Sequence, residues 1–296
     1  MPVTIQTIQT PKRARALDTS GNNNHGQIYS GRGLEFDGVS DYLDTSKFLS
    51  TYQGSFSVSC WVKPDDGQPA AYQVIWGTYG AGGGADRCTL MLNTSGILNF
   101  RYVSDGDSRD SEVAAASHTF PNGTTQWTHV VCTANSTTNG VDGIRVYING
   151  VKMTLNSGDT SGIVFADYVQ AHNVYLGGQS TDSGAANFYA GNIANWQLWN
   201  AEWTQADVTY AYLNPEQLAL NRGGTSLTES NLKAWYPMQD GHRGQQSFVL
   251  DGSNTGLGED FITDGDMELS GIDNWATESN LTVSKDTSVY YAGSQS

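Results

Sequence analysis

The oxygen-rich stretch "LDTSGNNNHG", residues 17–26, has the residue types that bind a hard cation. Asp18 supplies a carboxylate, and Asn22 and Asn23 supply side-chain carbonyls, on a loop that Gly21 allows to turn tightly. Ca²⁺ is held by about six to eight oxygen ligands from carboxylates, amide carbonyls and backbone carbonyls. The composition of this loop therefore makes it a candidate calcium site.

A second acidic turn follows along the chain. Asp37 and Asp41, in "FDGVSDY", could complete the ligand set of the same ion. The alternative interpretation is an Asx turn, in which Asp18 and the asparagines accept hydrogen bonds from their own backbone. The sequence leaves both interpretations open.

Three aromatic residues beside a glycine-rich segment are candidates for ligand binding. Tyr72, Trp76 and Tyr79 precede "GAGGGADR", residues 80–87. Aromatic rings can stack on sugar rings, while neighbouring Asp, Asn and backbone groups bond the sugar hydroxyls. The alternative is that these rings belong to the core, where large aromatic side chains are mostly buried.

The overall composition argues against several classes of protein. A formal net charge of −15 disfavours nucleic-acid binding, which requires a basic surface. No apolar run approaches the roughly 20 residues of a membrane-spanning helix, so we predict no membrane insertion. Residues 1–16 lack the apolar segment of a signal peptide, so we expect the protein to stay in the producing cell or to reach the outside without secretion.

Short alternating segments separated by turns indicate an all-β fold. Apolar and small polar residues alternate in "SFSVSCWVKP", residues 55–64. Asn149-Gly150, between the alternating residues of "IRVYINGVKM", predicts a two-residue type I′ hairpin. Thr204 and Asp207 have the spacing of a capping box, which predicts one short helix that begins there. We therefore predict a two-sheet antiparallel β-sandwich with one short helix.

The order of the motifs resembles that of a known family. The series runs "LDTSGNNNHG", "GLEFDGVSDYL", "SFSVSCWVKP", "QWTHVVCTA", "IRVYINGVKM", "NVYLGG" and "YAGNIANWQLWNAEWTQADV". Over about residues 16–215 it resembles the laminin-G-like branch of the concanavalin A-like lectin/glucanase superfamily, whose fold is a two-sheet jelly roll. The resemblance implies calcium in the first loop. The fold hosts lectins, enzymes, adhesion modules and viral surface proteins, so it does not fix the function.

The sequence lacks the catalytic pattern of the hydrolases that share this fold. Glucanases of the superfamily carry a Glu-x-Asp-x-x-Glu strand, because a retaining mechanism needs two close carboxyl groups. This sequence has no such strand and no Gly-x-Ser-x-Gly motif. His129 alternates with Trp127 and Val131, so we interpret it as a structural strand residue. We therefore predict that the protein is not an enzyme.

Composition shifts predict four parts of the chain. They are an N-terminal arm over 1–15, the sandwich over 16–222, a linker with a closing strand over 223–258, and the start of a second β module or a tail over 259–296. The last part resembles the opening of a carbohydrate-binding-module jelly roll. "LKAWYPM" in the linker either closes the first sandwich or begins a second module, and we expect the former.

These observations lead to a ranked set of functional hypotheses. The first is a non-enzymatic virion surface protein of the capsid-decoration or tail-fibre type, with an adhesion or glycan-binding role. Its partners would be virion structural proteins and cell-surface glycans, and we expect a homo-oligomer. The alternative is a carbohydrate-binding accessory module of a larger secreted glycan-degrading enzyme, which would be extracellular. A third is a structural oligomer without a ligand.

Overall fold

The fold is described from a computed structural model of the 296-residue chain. The structure describes residues 15–16, 26–27, 33–47, 49, 55–79, 87–104, 107–135, 143–157, 172–215, 217–222 and 225–238. The chain divides into two compact units, Met1–Ser253 and Asn254–Ser296, and every described residue lies in the first. The predicted domain boundaries stay predictions.

Eighteen short strands make up most of the described structure, and helices are few. The strands are β1 (Arg15–Ala16), β2 (Gly26–Gln27), β3 (Leu34–Asp37), β4 (Leu43–Asp44), β5 (Ser55–Pro64), β6 (Gln73–Tyr79), β7 (Arg87–Leu92), β8 (Leu98–Ser104), β9 (Asp107–Val113), β10 (Thr128–Asn135), β11 (Ile144–Ile148), β12 (Val151–Lys152), β13 (Leu155–Ser157), β14 (Tyr175–Leu176), β15 (Gln179–Thr181), β16 (Gly184–Ala186), β17 (Ala190–Trp199) and β18 (Leu232–Tyr236). The helices are α1 (Gln205–Leu213), α2 (Gln217–Asn221) and a 3₁₀ turn (Glu229–Asn231). No described helix is long and apolar enough to cross a membrane.

The strands form two large sheets, which confirms the predicted antiparallel β-sandwich. The seven-stranded sheet has the order β12-β11-β10-β5-β17-β18, with β3 also paired to β17. The nine-stranded sheet has the order β13-β9-β8-β7-β6-β14-β4, with the β15–β16 hairpin attached to β6. β1 and β2 pair separately. Apart from the parallel contact between β15 and β6, the pairings are antiparallel.

The core fills the space between the two sheets. It contains the inward-facing apolar residues of both sheets, including Phe56, Trp76, Phe100 and Trp196. All three cysteines are free and fully buried in this core: Cys60, Cys88 and Cys132. Burial raises the pKa of each thiol, because a charged thiolate is poorly solvated there. The cysteines are therefore small core residues.

The helices cover the outer face of the seven-stranded sheet. A second apolar cluster lies there, formed by Val131, Tyr147, Trp199, Trp203, Val208, Ala211, Leu218, Ala219, Leu227, Leu232 and Trp235. α1 begins with the predicted capping box, in which Thr204 and Asp207 bond each other's backbone N–H. α2, which begins two residues after Pro215, is a second helix where the sequence predicted only one. The seven-stranded sheet is consequently buried on both faces.

β17 lies next to the edge of the seven-stranded sheet. One of its edges pairs with β5 over nearly its whole length, from Gly191 to Trp199. Its other edge is shared by two strands: β3 pairs over Ala190–Ile193, and β18 pairs over Trp196–Trp199. A bulge with Asn195 at a φ of 48° separates the two pairings. The segment "LKAWY" is thus an edge strand of this sandwich.

Candidate functional site

The Asp37–Asp41 turn is held together by carboxylate–amide hydrogen bonds. Asp37 Oδ1 accepts the backbone N–H groups of Val39, Ser40 and Asp41 at 2.8, 2.8 and 3.0 Å. Asp41 Oδ2 accepts the Asp37 N–H at 3.2 Å. The N–H groups of Ser40, Val39 and Asp41 lower the pKa of Asp37 to about 2, because they stabilise its ionised form. Both carboxylates predicted as calcium ligands therefore serve the backbone of their own turn.

The rest of the predicted calcium site cannot be placed beside this turn. Asp18, Asn22 and Asn23 lie outside the described residues. Among the residues that the structure describes, no group of three or more His, Cys, Asp or Glu side chains could hold a metal ion. Calcium binding stays a prediction from the sequence and from the family resemblance.

Calcium binding by the 17–26 loop would be visible as ligand-dependent stability. We expect wild-type protein to melt at a higher temperature with millimolar Ca²⁺ than with chelator, by roughly 5–10 °C if the ion is at about 100 times its Kd. Asp18→Ala should remove the difference, whereas Asp182→Ala, on an exposed turn far along the sequence, should retain it. Equal melting of the wild type in both conditions would show that the loop holds no ion.

The three aromatic residues predicted to bind a ligand have different surroundings. Trp76 is fully buried, and its ring packs 6.0 Å from that of Phe100. Trp76 is therefore a core residue rather than a stacking platform. The guanidinium of Arg87 lies 4.6 Å from the centre of the Tyr79 ring and occupies one of its faces. Tyr72 is 52% exposed and can present its ring to solvent.

A stacked pair of tyrosines lies at the edge of the nine-stranded sheet. The rings of Tyr42 and Tyr175 are 4.7 Å apart at an interplanar angle of 21°. Tyr42 is 48% exposed, and Tyr175 is half-buried beneath it. One face of the Tyr42 ring is therefore covered by Tyr175 while much of the ring remains in solvent.

Two polar side chains complete this aromatic edge. Asp44 lies directly opposite Tyr175 in the β4–β14 pair, so both side chains project from the same face of the sheet. The Asn173 Nδ2 donates to Asp44 Oδ2 at 3.2 Å, and the Ser46 N–H donates to Asp44 Oδ1 at 2.7 Å. The four residues Tyr42, Asp44, Asn173 and Tyr175 are called the tyrosine edge below.

The tyrosine edge was not predicted from the sequence, although part of its signal is local. Tyr42 and Asp44 are two residues apart in "DYLDT", which places both on one face of a short strand. The other half comes from β14, and Asp44 and Asn173 are 129 residues apart in the chain. Only the pairing of β4 with β14 brings the two halves together.

A serine and a histidine meet on the covered face of the seven-stranded sheet. The Ser59 Oγ lies 2.9 Å from His129 Nε2, and both side chains are buried. His129 Nδ1 has no hydrogen-bond partner within the described part of the chain, so no acid orients the ring as in a Ser-His-Asp triad. Tyr212 of α1 covers the imidazole at 6.0 Å. This contact is structural, as the sequence pattern of His129 indicated.

The chain has only distant similarity to several solved structures. No curated protein has a significant match to the sequence. Among solved structures, a Ruminococcus gnavus IT-sialidase CBM40 bound to α2,6-sialyllactose has 16% identity and a TM-score of 0.47, over 62% of this chain and 96% of that one. A putative carbohydrate-binding protein from Bacteroides ovatus has 16% identity and a TM-score of 0.46, over 80% of this chain and 61% of that one. A heptameric SAP-like pentraxin from Limulus polyphemus has 14% identity and a TM-score of 0.42, over 60% of this chain and 80% of that one.

At such identities and TM-scores, the ligands of these proteins do not transfer to this chain. The family comparison is stronger, because the Laminin_G_3 model matches residues 37–209, more than half of the sequence. The matched region contains the strands of the sandwich from β4 to β17 and the start of α1. The chain belongs to the concanavalin A-like lectin/glucanase superfamily, in the laminin-G-like family that this model describes.

Proposed function

We propose that this protein is a non-enzymatic, glycan-binding module that serves adhesion or surface display. The observation that carries the proposal is the tyrosine edge, where an exposed ring, a carboxylate and an amide share one face of the sheet. A sugar ring has an apolar C–H face that packs on an aromatic ring, and a rim of hydroxyls that need hydrogen-bond partners. Both kinds of contact are available within this one edge.

The stacking of the two tyrosines prepares the edge for a ligand. Because Tyr175 supports the Tyr42 ring from below, the exposed ring is held in a defined orientation before any ligand arrives. Asp44 is likewise fixed by the Asn173 amide and the Ser46 N–H. A ligand that stacks on Tyr42 therefore has less side-chain ordering to perform, which favours binding.

Removal of the exposed ring should abolish most of the binding. On an array of oligosaccharides, followed by titration calorimetry with any that bind, we expect Tyr42→Ala to weaken the affinity by about tenfold or more, since aromatic anchors dominate small interfaces. Tyr42→Phe keeps the stacking surface and should retain most of the affinity. The matched control is Leu220→Ala, which removes an exposed apolar side chain of α2.

The same assay distinguishes the tyrosine edge from the exposed ring of Tyr72 as the binding surface. Tyr72→Ala should leave the affinity within about twofold if the tyrosine edge is the platform, because Tyr72 is not part of it. A loss on Tyr72→Ala but not on Tyr42→Ala would move the site to the position that the sequence indicated. Failure of the wild type to bind any oligosaccharide would contradict the proposed function itself.

We further propose that the protein is displayed on a virion surface, as a decoration or fibre-type component. The order of an N-terminal arm, a laminin-G-like sandwich and a segment resembling a carbohydrate-binding module supports this setting. In that setting, the arm over residues 1–15 would attach to virion structural proteins, and the sandwich would form a homo-oligomer that faces host glycans. Mass spectrometry of purified particles should then detect the protein; its absence from them, together with a catalytic domain encoded in the same reading frame, would favour an extracellular enzyme accessory module.

A further inference from the structure

The hydrogen-bonding groups of the tyrosine edge are mainly acceptors. The Asp44 carboxylate accepts two hydrogen bonds within the protein and has about two lone-pair positions left. Because a carboxylate can only accept, its contact with Asn173 fixes the amide orientation and identifies Oδ1 as the remaining acceptor. Asn173 Oδ1 is buried and has no hydrogen-bond partner among the described residues. A ligand cannot reach this buried oxygen, so the acceptor that ligand hydroxyl groups can reach is the exposed Asp44 carboxylate.

The charges around the edge have one dominant sign. Asp41 precedes Tyr42 directly and Asp44 follows it by two residues, against the single positive charge of Lys47 in the segment 33–47. In the segment 172–182, the His172 imidazole lies 2.7 Å from the Asp182 carboxylate. Burial, then Asp44, then Tyr42 raise the pKa of Tyr175, so the charge of Asp44 is felt at the stacked rings. The chain as a whole has a formal net charge of −15.

From this arrangement we infer that the tyrosine edge selects neutral sugars and discriminates against glycans that end in a carboxylate or sulfate. A neutral pyranose supplies hydroxyl donors to Asp44 while its C–H face packs on Tyr42. An anionic terminal group would instead face acceptors and a negative field, which costs binding free energy. The inference rests on the proposed glycan-binding function and names the ligand class of the same site.

The test is a paired array in which each neutral oligosaccharide is printed beside its sialylated and its sulfated derivative. For those neutral sugars that bind, we expect the acidic derivative to bind at least about fivefold more weakly at low salt. Raising the ionic strength from about 0.05 M to 0.5 M should reduce the difference in affinity between the neutral and the acidic derivative, because exposed charges are then screened. Tyr42→Ala should weaken both members of a pair.

Asp44→Asn separates charge from shape, since asparagine keeps the size and one acceptor oxygen. In this variant we expect the discrimination against acidic derivatives to fall by about threefold. The control is Glu229→Gln, which removes one negative charge from an exposed position on the 3₁₀ turn and should leave the discrimination unchanged. Equal or stronger binding of acidic derivatives by the wild type would overturn the inference while the glycan-binding function stands, whereas binding to no array member would overturn both.

Discussion

Replacement of Gly177 by alanine is expected to lower the free energy of unfolding by about 3 kcal/mol or more. Gly177 has a φ of +77°, which costs an alanine roughly 1–2 kcal/mol. A Cβ at this position would also come within 2.1 Å of Phe36 Cδ1 in the core. The backbone has little room to shift, because the Gly177 N–H donates to the Ile75 carbonyl at 2.8 Å and its carbonyl accepts the Tyr189 N–H at 3.0 Å. Thermal melting should fall by roughly 6–12 °C for a domain of this size.

Gly123 allows the cost of the positive φ to be measured apart from the cost of the close contact with Phe36. Gly123 has a similar φ of +80°, but nothing lies within 4 Å of a Cβ built there. Gly123→Ala should therefore show only the backbone cost of about 1–2 kcal/mol, measured by urea unfolding beside Gly177→Ala. If the two variants are equally destabilised, Phe36 moves aside without cost and the close contact at Gly177 has no energetic weight.

His129 is expected to make the folded state sensitive to mild acid. Desolvation lowers the pKa of the buried imidazole from 6.5 to about 3, because the charged form loses its hydration. Below pH 6.5 the unfolded chain takes up a proton that the folded chain does not, so stability falls as the pH decreases towards 3. One such group accounts for a little over about 1 kcal/mol per pH unit, on the order of 4 kcal/mol across the whole interval.

The contribution of His129 can be isolated by comparing how steeply the free energy of unfolding changes with pH in the wild type and in a variant. Urea unfolding between pH 6.5 and 4.5 should show a shallower pH dependence in His129→Gln than in the wild type, since glutamine has no proton to gain. The control is His172→Gln, which removes a histidine whose side chain is 28% exposed and hydrogen-bonded to Asp182. Identical slopes in the wild type and His129→Gln would show that the imidazole is protonated within the fold.

Sequence patterns predicted the features that depend on neighbours in the chain. The Asn149-Gly150 hairpin is present with φ values of 50° and 84°, because a type I′ turn needs positive φ at both positions. The helix that begins after Thr204 is present for the same kind of reason, since its capping box closes within four residues. Such interactions join residues only a few positions apart, so they can be predicted from the local sequence.

Features that depend on distant pairing were predicted less well. Alternation in β6 should send Ile75 and Trp76 to opposite faces, but a bulge between Val74 and Trp76 directs both into the core. Similarly, Ser59 alternates with core residues as if it faced water, yet it is buried because α1 and α2 cover that face of the sheet. No local pattern predicts a bulge, so the sequence did not decide whether Trp76 is buried. It contained only the local half of the tyrosine edge, Tyr42 and Asp44.

The two strands that share one edge of β17 have a consequence for how this sandwich joins other polypeptide. β3 and β18 both pair antiparallel with β17, so they run in the same direction along its edge, one after the other. β5 fills the opposite edge of β17. The exit of β18 at Tyr236 is opposite Trp196, and the entry of β3 at Leu34 is opposite Ile193. Three residues of strand separate these points by about 10 Å. β18 and β3 therefore take the place of one continuous edge strand that is interrupted between Tyr236 and Leu34. Because the two ends at this interruption are close together, the geometry suits circular permutation and insertion of the sandwich into a loop of a host protein.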